Sequence, residues 1–503
     1  MSACLLGIDI GTSACKIAIF DQEGHVLSAV TEEYPVYYPH AGWAEQNPEE
    51  WWSAVSKAIR KALLQGDIPS TEIAGVGIDG QSWSAVAVDR EGRVLANTPI
   101  WMDTRAADIC RELNETVGAD AIFALSGNSL QPSYTTAKIL WYKREMPEIY
   151  SQIDKILQSN SYIAFKLTGA MTQDLSQGYG LHCFDMEKGV WDETMAERLG
   201  IPPRFLPPIH PCHEIIGTVT TEAAAACGLA PGTPVAAGGL DAACGTLGAG
   251  VIHPGETQEQ GGQAGGMSIC IDRYQADPRL ILSCHVIPDC WLLQGGTTGG
   301  GGVMRWLEKE FGAYERYTGS KSGKSSLELY NELARTVPAG SDGMVFLPYM
   351  AGERSPLWDP NAKGVCYGLD FSKTKGHFIR AAMEGVAFSL KHNLDTAEDI
   401  GAKAQVLRAV GGSANSLLWT QIKADVTGKP IVVPASDTAT TLGAALLAGV
   451  GTGLYRNFDE ATAQTVQIRR RHEPSPENLK IYEKNYRTYL QLYEHLKDLM
   501  QSK

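Results

Sequence analysis

One acidic residue stands alone among small and apolar neighbours in residues 236–250 (AAGGLDAACGTLGAG). Asp241 is the single charged residue in this stretch, and a carboxylate in such surroundings is unfavourable unless it is paired or serves a site. A well-placed carboxylate can accept a proton from a hydroxyl group, which is general base catalysis. The same side chain could cap the helix predicted to follow it, and the two roles are compatible. Asp241 is therefore the leading candidate for a catalytic residue.

Three glycine-rich bends suggest a different chemistry, the binding of phosphate groups. The first bend, residues 9–16 (DIGTSACK), exposes backbone N–H groups between two predicted strands, and Thr12, Ser13 and Lys16 add hydroxyl and ammonium donors. Asp9 comes at the end of the first predicted strand, where it could hold a phosphate-bound Mg²⁺ through water. An ordinary hairpin with polar corners is the alternative for this stretch taken by itself.

The second and third bends lie in the second half of the chain. The second bend, residues 260–266 (QGGQAGG), is accompanied by a glycine tract, residues 295–302 (GGTTGGGG), which runs into a predicted helix whose N-terminal amides attract anions. The third bend, residues 410–416 (VGGSANS), has no lysine, which excludes a Walker-type phosphate loop. Its glycines would let a nucleobase or ribose lie against the backbone. Each bend alone is a weak signal.

The elements that must hold these residues alternate between strands and helices, which predicts an α/β fold. Residues 4–10, 15–21 and 25–30 predict a meander of three strands with the first bend at its first corner. Residues 48–64 carry apolar side chains at helical spacing, and residues 73–79 predict a further strand.

The second half repeats the opening pattern. Residues 255–272 again show a strand, a glycine-rich polar bend and an apolar run, so we expect two domains of one kind, residues 1–247 and 248–503. Residues 474–502 carry apolar side chains at helical spacing and predict a long helix packed by one face. Because no low-complexity linker separates the halves, we expect them to touch.

Composition is that of an ordinary globular protein. The chain has 503 residues, of which 44% are apolar and 20% charged, and its net charge of −14 argues against nucleic acid or an anionic membrane as partner. The first residues show no signal-peptide pattern. The 11 cysteines include no C-x-x-C pair, which indicates neither a zinc site nor a disulfide framework, and we expect a reducing, cytoplasmic location.

Taken together, the motifs resemble the FGGY family of carbohydrate kinases. Their order is Asp-x-Gly-Thr at the start, Gly-Gly-x-Asp near the middle and Gly-Gly-x-x-x-Ser late in the chain. The stretches GWAEQNPEEWW and GERSPLWDPNAKGVCYGL are most similar to xylulokinases and their pentulose- and gluconate-kinase relatives. The resemblance covers nearly the whole chain and is carried by residues 7–21, 42–52, 77–84, 101–105, 234–245, 347–369 and 407–430.

The resemblance implies a fold, a reaction and a set of site residues. The fold would be two RNase H-like α/β domains, as in the actin/hexokinase-like ATPases, around a central cleft. The reaction would be phosphoryl transfer from ATP, with Mg²⁺, to a primary hydroxyl of an open-chain sugar, D-xylulose first. Asp241 matches the general base of the family, and Asp9 matches the residue that positions Mg²⁺–ATP.

The remaining site residues follow from the same resemblance. The positions that match the nucleotide side are Asp9, Gly11, Thr12, Ser13, Lys16, Gly262, Gln263, Gly301, Arg305, Gly412, Asn415 and Ser416. The positions that match the sugar side are Gln81, Ser82, Trp83, Trp101 and Asp103. Asp103 could accept two sugar hydroxyls, or it could instead pair with Arg105.

Two departures from the family pattern bear on the substrate and the rate. Xylulokinases typically carry Gln-Met-His where this chain has Gln81-Ser82-Trp83, which exchanges an imidazole hydrogen bond for an aromatic stacking face. The second bend usually contains Gly-Thr-Ser-Gly, but this chain has Gly-Gln-Ala-Gly at residues 262–265, so Gln263 would replace a hydroxyl donor by an amide.

Several alternatives therefore stay open. The acceptor could be gluconate, a different pentulose or a polyol instead of D-xylulose. From other functional classes, the same fold could serve as a non-catalytic sugar or nucleotide sensor, or as an actin-like ATPase. The sequence does not decide the oligomeric state, and a homodimer is one expectation.

Overall fold

The first half of the molecule is built on a seven-stranded sheet. The structure is a computed structural model that describes residues 3–435 and 438–501. The strands of this first sheet are β1 (Cys4–Ile10), β2 (Ala14–Phe20), β3 (Val26–Glu33), β4 (Ile73–Gly80), β5 (Ile215–Thr218), β6 (Pro234–Ala236) and β7 (Gly239–Leu240). Their order is β5-β6-β4-β1-β2-β3, and β7 adds to β4. Strands β1, β2 and β3 form the predicted antiparallel meander, whereas β4 runs parallel to β1 and β6 runs parallel to β4.

The second half repeats this arrangement on a second seven-stranded sheet. Its strands are β8 (Glu256–Gly261), β9 (Gly265–Ile271), β10 (Ile281–Cys284), β11 (Trp291–Thr297), β12 (Val406–Val410), β13 (Ile431–Pro434) and β14 (Ile468–His472). Their order is β10-β11-β9-β8-β12-β13-β14. Strands β8, β9 and β11 form an antiparallel meander, and β12 and β13 continue in parallel from β8. The predicted repetition of one α/β architecture is thus present, while the boundary after residue 247 stays a prediction.

Seventeen helices and several short ladders cover these sheets within the described residues. The helices are α1 (Pro48–Gly66), α2 (Ala107–Leu113), α3 (Ala119–Ser126), α4 (Thr135–Glu145), α5 (Pro147–Gln152), α6 (Ser159–Thr168), α7 (Glu193–Leu199), α8 (Thr221–Cys227), α9 (Asp241–Gly248), α10 (Gly301–Phe311), α11 (Ala313–Ser322), α12 (Ser326–Arg335), α13 (Lys375–Asp399), α14 (Leu417–Thr427), α15 (Ala439–Gly451), α16 (Phe458–Thr465) and α17 (Pro476–Gln501). Two-stranded ladders join Glu45–Gln46 to Thr98–Pro99, Val86–Val88 to Lys155–Leu157, Gln173–Asp174 to Ile209–His210, Phe184–Asp185 to Val190–Trp191, and Val345–Leu347 to Val365–Tyr367.

Helix α1 shows how local sequence defines an element. The Asn47 side chain caps its start by accepting a hydrogen bond from the Glu49 N–H at 3.0 Å, and Pro48 follows at the position where no backbone donor is needed. The apolar face predicted from the sequence, which includes Trp51 and Ile59, is buried against β2 and β3. The helix continues two residues beyond the predicted 48–64.

Helices α9 and α15 join the two halves through glycine contacts. A Cβ atom on Gly248 would lie 1.8 Å from the Ala439 carbonyl oxygen, and one on Gly443 would lie 1.8 Å from the Cys244 carbonyl oxygen. Only glycine permits so close an approach of two backbones. Although α15 follows β13 of the second sheet, it packs against β1 and β4 of the first. The start of α9, where Asp241 lies, is therefore held at the junction of the two halves.

The cysteines of the described residues are in the thiol form. No disulfide joins cysteines within the described residues, and nine of the eleven are buried. Among residues 3–435 and 438–501, no helix combines the length and the hydropathy that crossing a bilayer requires.

Candidate active site

Three carboxylates converge at one edge of the first sheet. Asp9 and Asp79 are the penultimate residues of β1 and β4, and they are direct partners in the parallel register of these strands. Asp241 directly follows β7, which runs parallel to β4. Because the carboxyl ends of parallel strands meet at the same edge, the three side chains share one site.

The electrostatics of this edge suit a base that works near neutral pH. Asp241 is half-buried, and burial together with the negative charge of Asp9 raises its pKa to about 7, although the Ala242 N–H donates to its Oδ1 at 2.6 Å. Burial also raises the pKa of Asp9, which Lys16 at 3.3 Å opposes. A base is most effective when its pKa lies near the working pH. The predicted catalytic residue thus has a suitable environment.

Asp79 is a site residue that the sequence reasoning missed. It has no solvent exposure, and neither carboxylate oxygen has a hydrogen-bond partner among the described residues. Burial and then the charges of Asp9 and Asp241 raise its pKa well above the ordinary value. Asp79 ends an apolar run just as Asp9 does, but only the strand register shows that the two residues are partners.

The first bend is tied to the residues predicted to bind the sugar. The Thr12 carbonyl accepts a hydrogen bond from Gln46 Nε2 at 2.8 Å, and the Gln46 Oε1 accepts one from Gln81 Nε2 at 2.8 Å. Trp101 Nε1 donates to the Thr12 hydroxyl at 3.0 Å. This network connects the bend predicted to bind phosphate to the residues predicted to bind the sugar. Gln46, which connects the two sides, was not predicted.

The other predicted members of the first bend surround this network. The Gly11 N–H donates to the Ala14 carbonyl at 3.1 Å and thereby closes the bend. Ser13 and Lys16 are exposed. The bend therefore presents a hydroxyl and an ammonium group to solvent next to the buried Asp9.

The substrate loop, residues 80–83, is held in an unusual backbone conformation. Trp83 has a φ of 60°, which is rare for a bulky side chain, and its ring stacks on Tyr134 with centroids 4.1 Å apart. Tyr179 lies 5.6 Å from Trp83 and donates from its hydroxyl to Ser82 Oγ at 3.1 Å. The indole N–H of Trp83 is buried without a partner among the described residues, which leaves a donor for a ligand or water. Tyr134 and Tyr179 extend the predicted sugar side.

A buried lysine stabilises this strained loop. Lys138 has no solvent exposure, and its ammonium group donates to the carbonyls of Trp83, Ile100 and Ser133 at 2.9, 2.8 and 2.6 Å. Burial lowers the pKa of Lys138 to about 7. Three carbonyl acceptors compensate for the burial of the ammonium group.

Asp103 is engaged by protein groups, so the alternative role weighed for it fits better than sugar binding. Its Oδ1 accepts from the Arg105 backbone N–H and Nε, at 2.9 and 3.0 Å, and its Oδ2 accepts from the Ala44 N–H at 2.7 Å. Arg105 also bonds Glu45 at 2.8 Å and stacks on Trp43. The pairing with Arg105 weighed as the alternative is thus present, and a sugar-binding role of Asp103 stays a prediction.

A pocket of about 440 Å³ in the second half collects the predicted nucleotide residues of that half. Gly262, Gln263, Gly301, Arg305, Gly412, Asn415 and Ser416 all line it. The sequence reasoning missed its apolar wall, formed by Met304, Met383 and Trp419. A Cβ atom on Gly412 would meet nothing within 4 Å, so this glycine faces the open pocket.

Several of these residues also serve the structure. Ser416 caps α14 by accepting from the Trp419 N–H at 3.1 Å, and it donates to Asn331 Oδ1 at 2.6 Å. Arg305 donates to the side-chain oxygen of Gln263. Gln263, which the sequence analysis expected to supply an amide donor, thus uses its oxygen within the protein and keeps the amide nitrogen.

A smaller cavity adjoins this pocket and reaches Ala242, the residue after Asp241. This cleft cavity, of about 240 Å³, is lined by Ala242 from the first half and by the second bend and Arg354 from the second half. Gly262 and Gln263 line both cavities. The two cavities therefore form one continuous path from the predicted nucleotide residues to the start of α9.

Comparison with known proteins gives the family. Residues 4–248 match the N-terminal domain of the FGGY family of carbohydrate kinases, and residues 281–452 match its C-terminal domain. Xylulose kinase of Escherichia coli (strain K12) is 31% identical over 98% of this chain and 99% of its own length. Gluconokinase of Bacillus subtilis (strain 168) is 31% identical over 100% of this chain and 97% of its own.

The solved structures agree with the sequence matches. The crystal structure of xylulose kinase from Rhodospirillum rubrum superimposes with a TM-score of 0.91 at 30% identity, covering 99% of this chain and 100% of its own. The predicted two-domain α/β kinase fold is confirmed. The chain belongs to the FGGY family of carbohydrate kinases.

Proposed function

We propose that this chain is an ATP- and Mg²⁺-dependent kinase that phosphorylates a primary hydroxyl of an open-chain sugar, D-xylulose first. The observation that carries the proposal is the position of Asp241, whose pKa is raised to about 7, directly before Ala242, which lines the cavity that adjoins the predicted nucleotide pocket. Membership of a carbohydrate kinase family supports the reaction class.

The residues suggest how transfer would proceed. Asp241 would orient the acceptor hydroxyl and take its proton as the acceptor oxygen bonds to the γ-phosphorus of ATP. The bond from that phosphorus to the β,γ-bridging oxygen breaks, and its electron pair leaves with ADP. Movement of the two halves about the α9–α15 junction would close the cleft and exclude water, which otherwise competes as acceptor.

The acids at the cleft edge fit Mg²⁺ bound mainly through water and phosphate. Among the residues that the structure describes, no three His, Cys, Asp or Glu side chains form a metal site by themselves. Mg²⁺ keeps several waters and uses few protein carboxylates when it accompanies a nucleotide. Asp9 would hold it through water, and the buried carboxyl group of Asp79 would support Asp9 through a hydrogen bond. The ion would neutralise charge on the phosphates.

Gluconate is the second candidate acceptor. The gluconokinase relative is as similar to this chain as the E. coli xylulose kinase, at 31% identity. Trp83, in place of the histidine typical of xylulokinases, also makes the D-xylulose assignment the less secure part of the proposal. A different pentulose or a polyol is a further possibility within the class.

A panel of acceptors tests the proposal. ADP release is measured with Mg²⁺–ATP and, in turn, D-xylulose, D-ribulose, L-ribulose, gluconate, xylitol, glycerol or no acceptor. We expect release that depends on sugar and is fastest with D-xylulose. Sugar or ATP binding without turnover would indicate a sensor, and release without any sugar would indicate an ATPase.

The remaining expectations about the cell stay predictions. A cytoplasmic location is tested by fractionation, and a homodimer by light scattering of the purified protein. The absence of a nucleic-acid or membrane partner is tested by binding assays with DNA, RNA and anionic vesicles.

A further inference from the structure

An arginine in the cleft has no partner for its charge. Arg354 is half-buried and lines the cleft cavity with Ala242, the neighbour of Asp241. Within residues 3–435 and 438–501, its guanidinium has no hydrogen bond or ion pair, whereas its backbone N–H donates to Glu353 Oε1 at 3.0 Å. A half-buried guanidinium without an acceptor is uncommon, because it carries five N–H donors that normally bond to protein or water.

The backbone that carries Arg354 is firmly held. The Arg354 carbonyl accepts from the Trp358 N–H at 2.7 Å, and Ser355 Oγ bonds the N–H and the carbonyl of Gly296 at 2.5 and 3.1 Å. The guanidinium lies along Gly296, since a Cβ atom there would be 3.5 Å from Cζ of Arg354. The glycine tract thus makes room for the Arg354 side chain, and the N–H donors of the guanidinium face the cavity.

The charge of Arg354 is not neutralised by its acidic neighbour. Burial raises the pKa of Glu353 to about 8, so this side chain is mostly neutral at pH 7. The field of Arg354 instead reaches the opposite wall of the cleft. Burial raises the pKa of Tyr134 and of Tyr179, and the positive charge of Arg354 opposes that rise. The arginine of the second half therefore faces the sugar side of the first.

We propose that Arg354 is a catalytic residue that binds the phosphoryl group during its transfer to the acceptor. The inference rests on the proposed function. Three observations carry the proposal. The guanidinium has no partner within the described part of the chain, it lies along the glycine tract beside the second bend, and it lines the same cleft cavity as Ala242. The ligand class is a phosphoryl group with developing negative charge, which a guanidinium can bind through two parallel N–H donors.

The chemistry explains why a positive charge is useful at this point. As the acceptor oxygen bonds to phosphorus and the bond to the β,γ-bridging oxygen breaks, charge is spread over the three equatorial oxygens of the phosphoryl group. The acceptor proton moves to Asp241 and the electron pair of the broken bond leaves with ADP. The negative charge of nearby Asp9 repels that charge, so Arg354 would offset it when the phosphoryl group passes between the halves.

A different role for the same side chain is binding of the acceptor before transfer, for example through a carboxylate of a sugar acid. The two roles predict different kinetics. A residue that acts on the phosphoryl group in transit lowers kcat, whereas a residue that binds the acceptor in its ground state raises KM for the acceptor.

The test compares Arg354→Met and Arg354→Lys with Arg273→Met, a control on the exposed Arg273 of the same half. With the best acceptor of the wild type, we expect kcat of Arg354→Met to fall by about 10³-fold or more, as for arginine fingers. KM for acceptor and for ATP should change by less than about threefold. Arg354→Lys should be impaired less, since it keeps the charge but loses the paired donors. Unchanged melting temperatures would show that the variants fold.

A binding measurement separates this role from a purely structural one. ADP with aluminium fluoride mimics the phosphoryl group in transit, and calorimetry should show that Arg354→Met loses affinity for it while affinity for ADP alone stays the same. Unchanged affinity for the mimic, or a raised acceptor KM with kcat intact, would overturn the proposal. An inactive wild-type enzyme would instead contradict the proposed function itself, which keeps the two failures distinct.

Discussion

The two halves of the molecule repeat one strand order but carry different residues where their strands end. In the first half, β1 and β4 end near Asp9 and Asp79, and Asp241 follows the short strand beside them. In the second half, the corresponding strands β8 and β12 run into the glycine-rich second and third bends. One scaffold therefore presents acids on one side of the cleft and backbone amides on the other.

The two sheet edges that face the cleft also differ in how they hold a buried acid. Glu259, in β8, pairs with Lys423 at 2.6 Å, and the same ammonium group bonds Ser413 under the third bend at 2.7 Å. Asp79 of the first half has no such cation. The difference indicates that the buried ion pair of the second half fixes a binding surface, whereas the acids at the sheet edge of the first half stay available for chemistry.

The largest expected effect comes from removing the base of the first half. Asp241→Asn should lower kcat by about 10²–10⁴-fold because a lost general base has effects of that size. The affinity for ATP should stay the same, since the nucleotide pocket belongs to the second half. Initial rates and ATP binding check this, with the exposed Asp108→Asn as control. Near-normal turnover of Asp241→Asn would contradict the assignment.

A large loss of stability is expected from breaking the buried pair of the second half. Lys423→Met leaves Glu259 without its cation in the interior, and removing one partner of a buried ion pair costs about 3–5 kcal/mol. Denaturant unfolding measures the loss, and Lys309→Met, on an exposed lysine, serves as control. A variant as stable as the wild type would show that the pair does not support the third bend.

The acids of the first half should make the rate depend on pH. Burial and the charge of Asp9 raise the pKa of Asp241 to about 7, and only the ionised carboxylate can accept a proton. At saturating Mg²⁺–ATP, kcat/KM for the acceptor should therefore be level above about pH 7 and fall about tenfold per pH unit below it. A profile that stays level down to pH 5 would be inconsistent with Asp241 as the base.

A smaller, selective effect is expected in the nucleotide pocket. Gly412→Leu should raise KM for ATP by about tenfold, because the new side chain projects into the pocket, where a Cβ atom meets no protein atom within 4 Å. The melting temperature and the kcat at saturating ATP should hardly change. Gly412→Ala is the matched control and should be almost neutral. Loss of folding in Gly412→Leu would show that the position is packed.

The smallest effect concerns acceptor choice. Trp83→His restores the residue type typical of xylulokinases, so the ratio of kcat/KM for D-xylulose to that for gluconate should rise by about tenfold or less. Loss of the stack on Tyr134 would lower stability as well, which thermal unfolding measures. The acceptor panel repeated on this variant checks the shift, and an unchanged ratio would show that Trp83 does not select the acceptor.

Local elements and glycine motifs were predictable, and contacts between distant residues were not. The meander of β1–β3 and helix α1 follow from patterns within short stretches. The seven predicted nucleotide residues of the second half, which line one pocket, came from the family resemblance. Asp79 became visible only through strand register, because its apolar run gives no hint of which strand lies beside it. The Ala44 N–H that bonds Asp103 was likewise invisible, because Ala44 lies far from Asp103 in the chain.

The sequence by itself determined which chemistry the protein could carry, since a lone acid and several glycine bends are properties of short stretches. Only the tertiary structure decided how those groups combine. Asp9, Asp79 and Asp241 lie at one sheet edge only because of strand register. Helix α15 packs on the first sheet although it follows the second, and Arg354 of the second half lines the same cavity as Ala242 of the first. The physical reason is that pKa shifts and unpaired charges depend on burial and on neighbours from distant parts of the chain.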